Sequence, residues 1–587
     1  DHLEACLLEN ILLDNSSSPL RKALESTDLG KAPSPITFME TEQKQMAFVA
    51  GLEGVEKGKE KDVEELVLSV FRDLVINGVE KDLIEASLHQ IEISQREISG
   101  GMPYGLQLLL GTMPSILHDS NPLEVLDLEG SLLKLKKRLE EPNHLEGLIE
   151  KFFINNKHRV TFQLIPNADY DKKKMEKLEK LLSEKNNSLS SSQKDNIRDL
   201  TTKLEMRQNS KDDPSLLPCV TVDDIEKERF YTIGYKQEDG DKIKYFYHAG
   251  TNGIDYTTKV FSLKPANLDA LRYSNFFSDV VTSVGVGEKD YEKIQKEQSL
   301  STGGIGLSFN VLPDSTGDKF LLSAGLHGSA LSKNFSKLER LMDDTIHGFR
   351  LDEIKRLEEL TQFEIAGKEK SITQSGHILA MNGASAQISK FGAVSEFVGG
   401  VSSIHNLKKL RDSNGKINMD MLLESFLKLK SSINPASKIE VVISANNQNY
   451  DKETTTKTGL ESLDVLNGID LQSEEIAWIT GSDVNFCAQA FPTVGYDHPD
   501  APILTVLGAV LRNGFLHSAI REKGGAYGSG AQQDSASRSF RFFSYRDPNC
   551  METFNAFNES IEWSLKSINS EKLEEGILGV ISSIDKP

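Results

Sequence analysis

Arg521 and Tyr527 share the stretch REKGGAYG, where a helix gives way to glycines. Leu511, Phe515, Leu516 and Ile520 recur at helical spacing, which puts Arg521 in the last helical turn. Gly524 and Gly525 break the helix. Gly528 and Gly530 keep the chain loose before an alternating strand over 539–544. A guanidinium and a phenol held together, beside the exposed backbone of Gly524, Gly525 and Ala526, suit gripping a peptide carbonyl or a developing oxyanion. A helix C-cap and hairpin, with Arg521 in a salt bridge, accounts for the same residues, because most Gly-rich breaks are turns. Pattern alone leaves both readings open. A phosphate loop is not indicated, since the GxxxxGK[ST] spacing and a preceding strand are lacking.

Other chemistry-bearing residues are dispersed. The 12 histidines never fall within five positions of one another, so no helix carries the paired His of an HxxEH-type zinc site. His89 with Glu92 is a lone His-x-x-Glu on an amphipathic helix and reads as surface or core. His517, just upstream of Arg521, reads as a helix-surface residue. Ser16 to Ser18 have no base at nucleophile spacing, and Ser18 reads as a helix N-cap before Pro19. Cys6, Cys219, Cys487 and Cys550 form no CxxC pair, so neither a disulfide framework nor a zinc knuckle is indicated and a reducing compartment is inferred.

The elements that must position the Arg–Tyr stretch lie in a chain of 587 residues, long enough for about three to five domains. Apolar residues make up 38% and charged residues 26%, as in soluble globular proteins. A formal charge of −21 argues against nucleic-acid or anionic-membrane partners and weakly favours basic ligands. The longest apolar run, 503–511, is too short to span a bilayer. Both ends read as cut, so a longer protein is expected.

Residues 1–167 read as one α/β unit: two short helices, a strand over 45–52, long helices near 61–77 and 81–99, and a closing strand over 158–165. Two charged helices over 169–213, around a Ser-rich turn, read as an αα-hairpin between two lobes. Residues 215–450 repeat the pattern, with strands over 244–249, 256–263 and 320–328, helices over 333–345 and 351–366, and a closing strand over 438–445. After a polar linker over 451–473 it returns in 474–587. AFVAGLEG at 47–54 and LLSAGLHG at 321–328 each lead into two helices. A period above about 200 residues is too long for a solenoid and indicates duplicated domains, each a mixed or antiparallel sheet with helices on one face: an α+β fold.

REKGGAYG, followed by FFSYRDPN, resembles the C-terminal part of the presequence proteases, a branch of the pitrilysin and insulinase-like metallopeptidases. The resemblance runs along nearly the whole chain: LLENILLDNSSSPLRKALESTDLG, GLQLL at 105–109, LLPCVTVDDI at 216–225 and TNGIDY at 251–256 come in the family's order. QREISGGMPYG and HPDAPILTVLGAVLRNG look closest to bacterial members.

The resemblance implies four homologous domains in two halves, joined by a helical hairpin and closing like a clamshell over a peptide chamber. Residues 1–167 would be the second domain, 168–214 the hairpin, 215–450 the third, 451–473 a linker, and 474–587 a fourth domain truncated at its C-terminus. It further implies Zn2+ held by an inverted HxxEH motif in a first domain outside this chain, so no metal is expected here. Arg521 and Tyr527 would contact substrate carbonyl and transition state across the chamber, with Gly524, Gly525 and Ala526 lining the substrate. Unfolded peptides are the expected substrates, and the missing first domain is the expected partner. A monomer is expected, cytoplasmic in a bacterium or, alternatively, in the mitochondrial matrix. A non-catalytic partner subunit of the same superfamily is the competing reading.

Overall fold

The computed structural model describes residues 2–98, 102–210, 219–228, 234–240, 242–264, 268–314, 319–412, 415–434, 439–445, 453–454, 471 and 473–584. The first unit is mainly helical: α1 (His2–Leu13), α2 (Pro19–Ser26), α3 (Glu60–Asn77), α4 (Lys81–Arg96), α5 (Tyr104–Leu117), α6 (Pro122–Leu126), α7 (Leu128–Leu139) and α8 (His144–Ile149). Between α2 and α3 lie two ribbons, β1 (Ala32–Pro33) with β4 (Leu52–Glu53) and β2 (Phe38–Glu40) with β3 (Ala47–Val49). Leu7, Leu8, Ile11 and Leu12 give α1 one apolar face, sealed against Leu20, Leu24, Phe71 and Ile149. Pro19 opens α2 as expected, but Ser18 does not cap through its side chain; its hydroxyl donates back to the Asn10 carbonyl at 3.4 Å.

The strand expected over 158–165 is also different. It runs without a β partner among the described residues, with Val160, Phe162 and Leu164 at least three-quarters exposed. Alternation specifies a face, whereas a strand forms only where a neighbour's N–H and C=O groups meet it. The expected hairpin follows as α9 (Tyr170–Ser188) and α10 (Ser191–Asn209), both solvent-facing, with Ser190 and Gln193 in a reciprocal capping box.

The next unit is built on a seven-stranded sheet of order β11-β5-β6-β10-β7-β9-β8. Its strands are β5 (Gly234–Asp239), β6 (Lys242–His248), β7 (Ile254–Ser262), β8 (Gly304–Pro313), β9 (Phe320–Leu331), β10 (Ile439–Ser444) and β11 (Glu453–Thr454); only β10 with β6 is parallel. The short β11 falls inside the expected linker, most of which lies outside the described residues. Helices α11 (Ser274–Val281), α12 (Tyr291–Ser301), α13 (Phe335–Gly348), α14 (Ile354–Ala386), α15 (Lys390–Gly399), α16 (Val401–Lys409) and α17 (Met419–Ser432) complete the unit. Phe276, Phe277, Leu326, Met342 and Phe426 form the middle of its core.

Polar contacts tie the first unit to this one. Arg356 of α14 is nearly sealed; its guanidinium reaches Glu25 at 3.3 Å and the Ser16 hydroxyl at 2.7 Å. His89, read from sequence as surface or core, belongs to the same seam. Its Nδ1 lies 2.9 Å from the Ser299 carbonyl and its Nε2 3.3 Å from the Asn334 amide.

The last unit has a three-stranded antiparallel sheet of β12 (Ala488–Pro492), β14 (Ser539–Tyr545) and β13 (Gly528–Asp534), in that order, with α18 (Asp500–Leu511), α19 (Met551–Ser567) and α20 (Ser570–Ile584). Helix α18 runs on in wider, π-helical turns over Arg512–Lys523. By length and composition alone, the helix Asp500–Lys523 contains a stretch long and apolar enough to cross a membrane. Here Leu511, Leu516 and Ile520 pack on Ala531, Phe540, Phe542 and Phe557. The other side of this sheet is met by α14, which extends 20 residues past the end the sequence suggests and kinks at Ser375 (φ −126°, ψ 23°). The next residue, Gly376, lies under Phe486; a Cβ there would be 2.5 Å from the ring. That close approach docks the far half of α14 against the sheet.

Candidate functional site

The helix carrying Arg521 ends in a tightly tied turn. The amides of Gly524, Gly525 and Ala526 donate to the carbonyls of Ala519, Arg521 and Ile520 at 3.0–3.1 Å. Gly525 has φ +80°, a left-handed conformation open to glycine at no steric cost. The Asn549 side-chain amide donates to the Gly524 carbonyl at 2.7 Å, fastening the turn to the loop after β14. The Tyr527 amide is shared between the carbonyls of Tyr545 and Arg546 at 3.1 and 3.3 Å, which starts β13 in register beside β14. With these N–H groups engaged, what the turn offers a ligand is side chains.

Those side chains converge. The Arg521 guanidinium carbon lies 5.8 Å from the centroid of the Tyr527 ring, a cation–π pair contributing about 0.5–1 kcal/mol at an exposed position. Both residues are exposed, Tyr527 by 65%. Among the described residues neither the guanidinium nor the phenol hydroxyl has an ion-pair or hydrogen-bond partner, so the salt bridge of the capping alternative has no acceptor here. His517 keeps to the helix surface, its Nδ1 3.6 Å from a Glu522 carboxylate oxygen.

Three further residues belong to this neighbourhood. The Tyr545 ring stands edge to face with Tyr527 at 5.5 Å and 81°. Behind it, His377 of α14 meets Tyr545 at 4.7 Å and 63°. Burial holds the imidazole below its ordinary value of 6.5, so the neutral ring packs there. Arg546 also lies over the Tyr545 ring, its guanidinium carbon 5.4 Å from the centroid. Tyr545 and Arg546 stand within FFSYRDPN, at and just past the end of β14, and the sequence reading does not single them out. His377 has no local signal, because only the docking of α14 brings it here.

No group of three or more His, Cys, Asp or Glu residues that could hold a metal occurs among the described residues. The donor set for zinc is therefore not found in them. Cys487 is buried beside Cys550, and burial pushes its thiol up to about 12, which keeps it unreactive at neutral pH.

Helices packed on mixed and antiparallel sheets, with an αα-hairpin between the first unit and the next, define an α+β protein. Residues 164–410 match the family of domains associated with subfamily C of the M16 peptidases, and residues 482–587 match the PreP C-terminal domain. The mitochondrial presequence protease of Yarrowia lipolytica is 28% identical over 599 residues, covering 99% of this chain and 60% of that protein. Protein HypA of Clostridium perfringens is 30% identical over 615 residues, again 99% of this chain and 60% of the relative. Among solved structures, a mutant of the ferredoxin protease FusC in complex with Arabidopsis ferredoxin aligns over 98% of this chain and 62% of that one, with a TM-score of 0.38 and 13% identity. The chain belongs to the presequence protease family of M16 peptidases. It spans about three-fifths of the length of the curated relatives it matches.

Proposed function

We propose that this chain supplies the lid-side substrate contacts of a zinc-dependent oligopeptidase that degrades unfolded peptides in an enclosed chamber. In this reading residues 1–167, 215–450 and 474–587 are its second, third and fourth domains, 168–214 is the connecting hairpin and 451–473 a linker. Arg521 presents a planar fork of donors and Tyr527 a hydroxyl to one scissile carbonyl, and both bind more strongly as charge develops on that oxygen. Gly524, Gly525 and Ala526 shape the substrate wall through the turn that aims the two side chains. The zinc ligands lie outside this chain, so it cleaves nothing alone. The protein acts as a monomer, in the cytoplasm of a bacterium or in a mitochondrial matrix.

The observation that carries the reading is the exposed, unpartnered Arg521–Tyr527 pair on a turn fastened by Asn549. A purely structural subunit would have no use for two such free groups, which weighs against the non-catalytic alternative. The test is direct: purified 1–587 should show no chelator-sensitive peptide cleavage, and detecting it would overturn this division of labour.

A further inference from the structure

Arg546 is held in a conformation that its residue type disfavours. Its φ is +49°, in the left-handed region that costs a residue with a Cβ of order 1 kcal/mol. The flanking structure enforces it. Asp547 is fully buried, accepts from the Thr553 hydroxyl at 2.7 Å and the Asn549 amide at 2.9 Å, and exchanges backbone hydrogen bonds with Asn485 at 2.7 and 2.9 Å. On the other side, the Arg546 carbonyl takes part of the Tyr527 amide. A glycine would fit this φ without strain, yet the position carries an exposed guanidinium with no ion-pair partner among the described residues.

The electrical setting is unusual for this protein. Residues 511–549 hold six Arg and Lys against three Asp and Glu, a net +3 within a chain of net −21. Arg521 and Arg546 each face one ring of the edge-to-face Tyr527–Tyr545 pair. The first cation is already assigned, under the proposed function, to the scissile carbonyl; the second has no such task.

The geometry points to Arg546 as a specificity-determining residue that binds a carboxylate of the peptide substrate, either its C-terminus or an acidic side chain, beside the Arg521–Tyr527 contacts. A planar guanidinium takes a carboxylate with two parallel hydrogen bonds. The inference rests on the proposed function, because it presumes that a peptide occupies this surface.

The test is peptide binding to the 587-residue chain, followed by fluorescence anisotropy. Three versions of one unstructured, labelled peptide are compared: free C-terminal acid, C-terminal amide, and the amide with one internal Gln replaced by Glu. Wild type should bind a carboxylate-bearing version about tenfold tighter than the neutral amide, and the arm that gains identifies the source of the carboxylate. Arg546→Gly should lose that preference, bind the neutral amide as wild type does, and melt no lower because the backbone strain is relieved. Arg546→Lys, with charge but no fork, should keep part of the preference. Arg521→Ala should weaken all three peptides alike. An unchanged preference in Arg546→Gly, or none in wild type while Arg521→Ala still weakens binding, overturns the role of Arg546 alone. Absence of any peptide binding by wild type overturns the substrate site and this inference together.

Discussion

The imidazole of His377 stands 4.7 Å from the phenol ring of Tyr545, at 63° between planes, and Tyr545 in turn stands edge-on to Tyr527 at 5.5 Å. A helix from the seven-stranded unit thus backs the aromatic pair that Arg521 and Arg546 flank. An edge-to-face aromatic contact contributes about 0.5–1.5 kcal/mol beyond its buried area. His377→Ala should therefore cost about 1 kcal/mol in urea unfolding and let the Tyr545 ring reorient. Unchanged NMR shifts for Tyr545 and Tyr527 in that variant would show that the stack stands without the histidine.

In the protein carrying the zinc-binding domain, Arg521→Ala should lower kcat by about 100- to 1000-fold, the usual effect of removing one oxyanion donor. Tyr527→Phe should lower it less, since the cation–π contact survives. Zinc content should match wild type in both. Zinc loss in either variant would mean that the residue supports the fold rather than the reaction.

Stability should fall on acidification partly through His89. Burial is the main cause of its lowered pKa, with Lys333 and Lys337 acting the same way and the Ser299 carbonyl and Glu92 opposing. The folded pKa lies below the unfolded value of 6.5, so above that pH both states are neutral and the full contribution is present. As pH falls through 6.5 and towards the folded value, the unfolded chain takes up the proton more readily and stability declines. His89→Gln should show a shallower loss of urea stability between pH 7.5 and about 5. Parallel curves for the two proteins would remove His89 as a source.

The seam around Arg356 should be far more sensitive than the surface pairs near it. Arg356 and Glu25 are each only 4% exposed, whereas Lys22 and Glu292, paired at 2.8 Å, are 46% and 39% exposed. Removing one partner of a buried pair costs about 3–5 kcal/mol when the other charge is left uncompensated, and less here because Arg356 keeps Glu359 at 3.4 Å, while an exposed pair contributes about 0–1 kcal/mol. Glu25→Ala should destabilise several-fold more than Glu292→Ala in denaturant unfolding. Equal effects would mean that water reaches the seam.

Gly376→Ala places a methyl 2.5 Å from the Phe486 ring. Either the ring or the kinked helix must move, at about 1–3 kcal/mol. Hydrogen exchange should accelerate in the far half of α14 and along β14. Protection equal to wild type would show that Phe486 swings aside freely.

Much of this architecture is legible in the residues themselves. Helical spacing locates α3, α4 and α13 within a few positions, and the strands expected over 256–263 and 320–328 are found as β7 and β9, neighbours in the large sheet. Arg521 and Tyr527 can be found because a helix end and a glycine turn are local features, with the chemistry written in adjacent side chains. The expectation of a strand over 158–165 fails for the converse reason: its alternation is local, but pairing depends on a neighbour that no nearby residue supplies. Partnering across space is likewise invisible in the chain. That His377 lies behind Tyr545, that His89 and Arg356 hold two units together, and that Arg546 is kept left-handed all depend on contacts between residues tens to hundreds of positions apart. Periodicity and turn chemistry act over a few residues, so the chain alone determined many of its helices and the Arg–Tyr turn. Only tertiary packing, which desolvates some groups and leaves others free, decided which side chains share a surface.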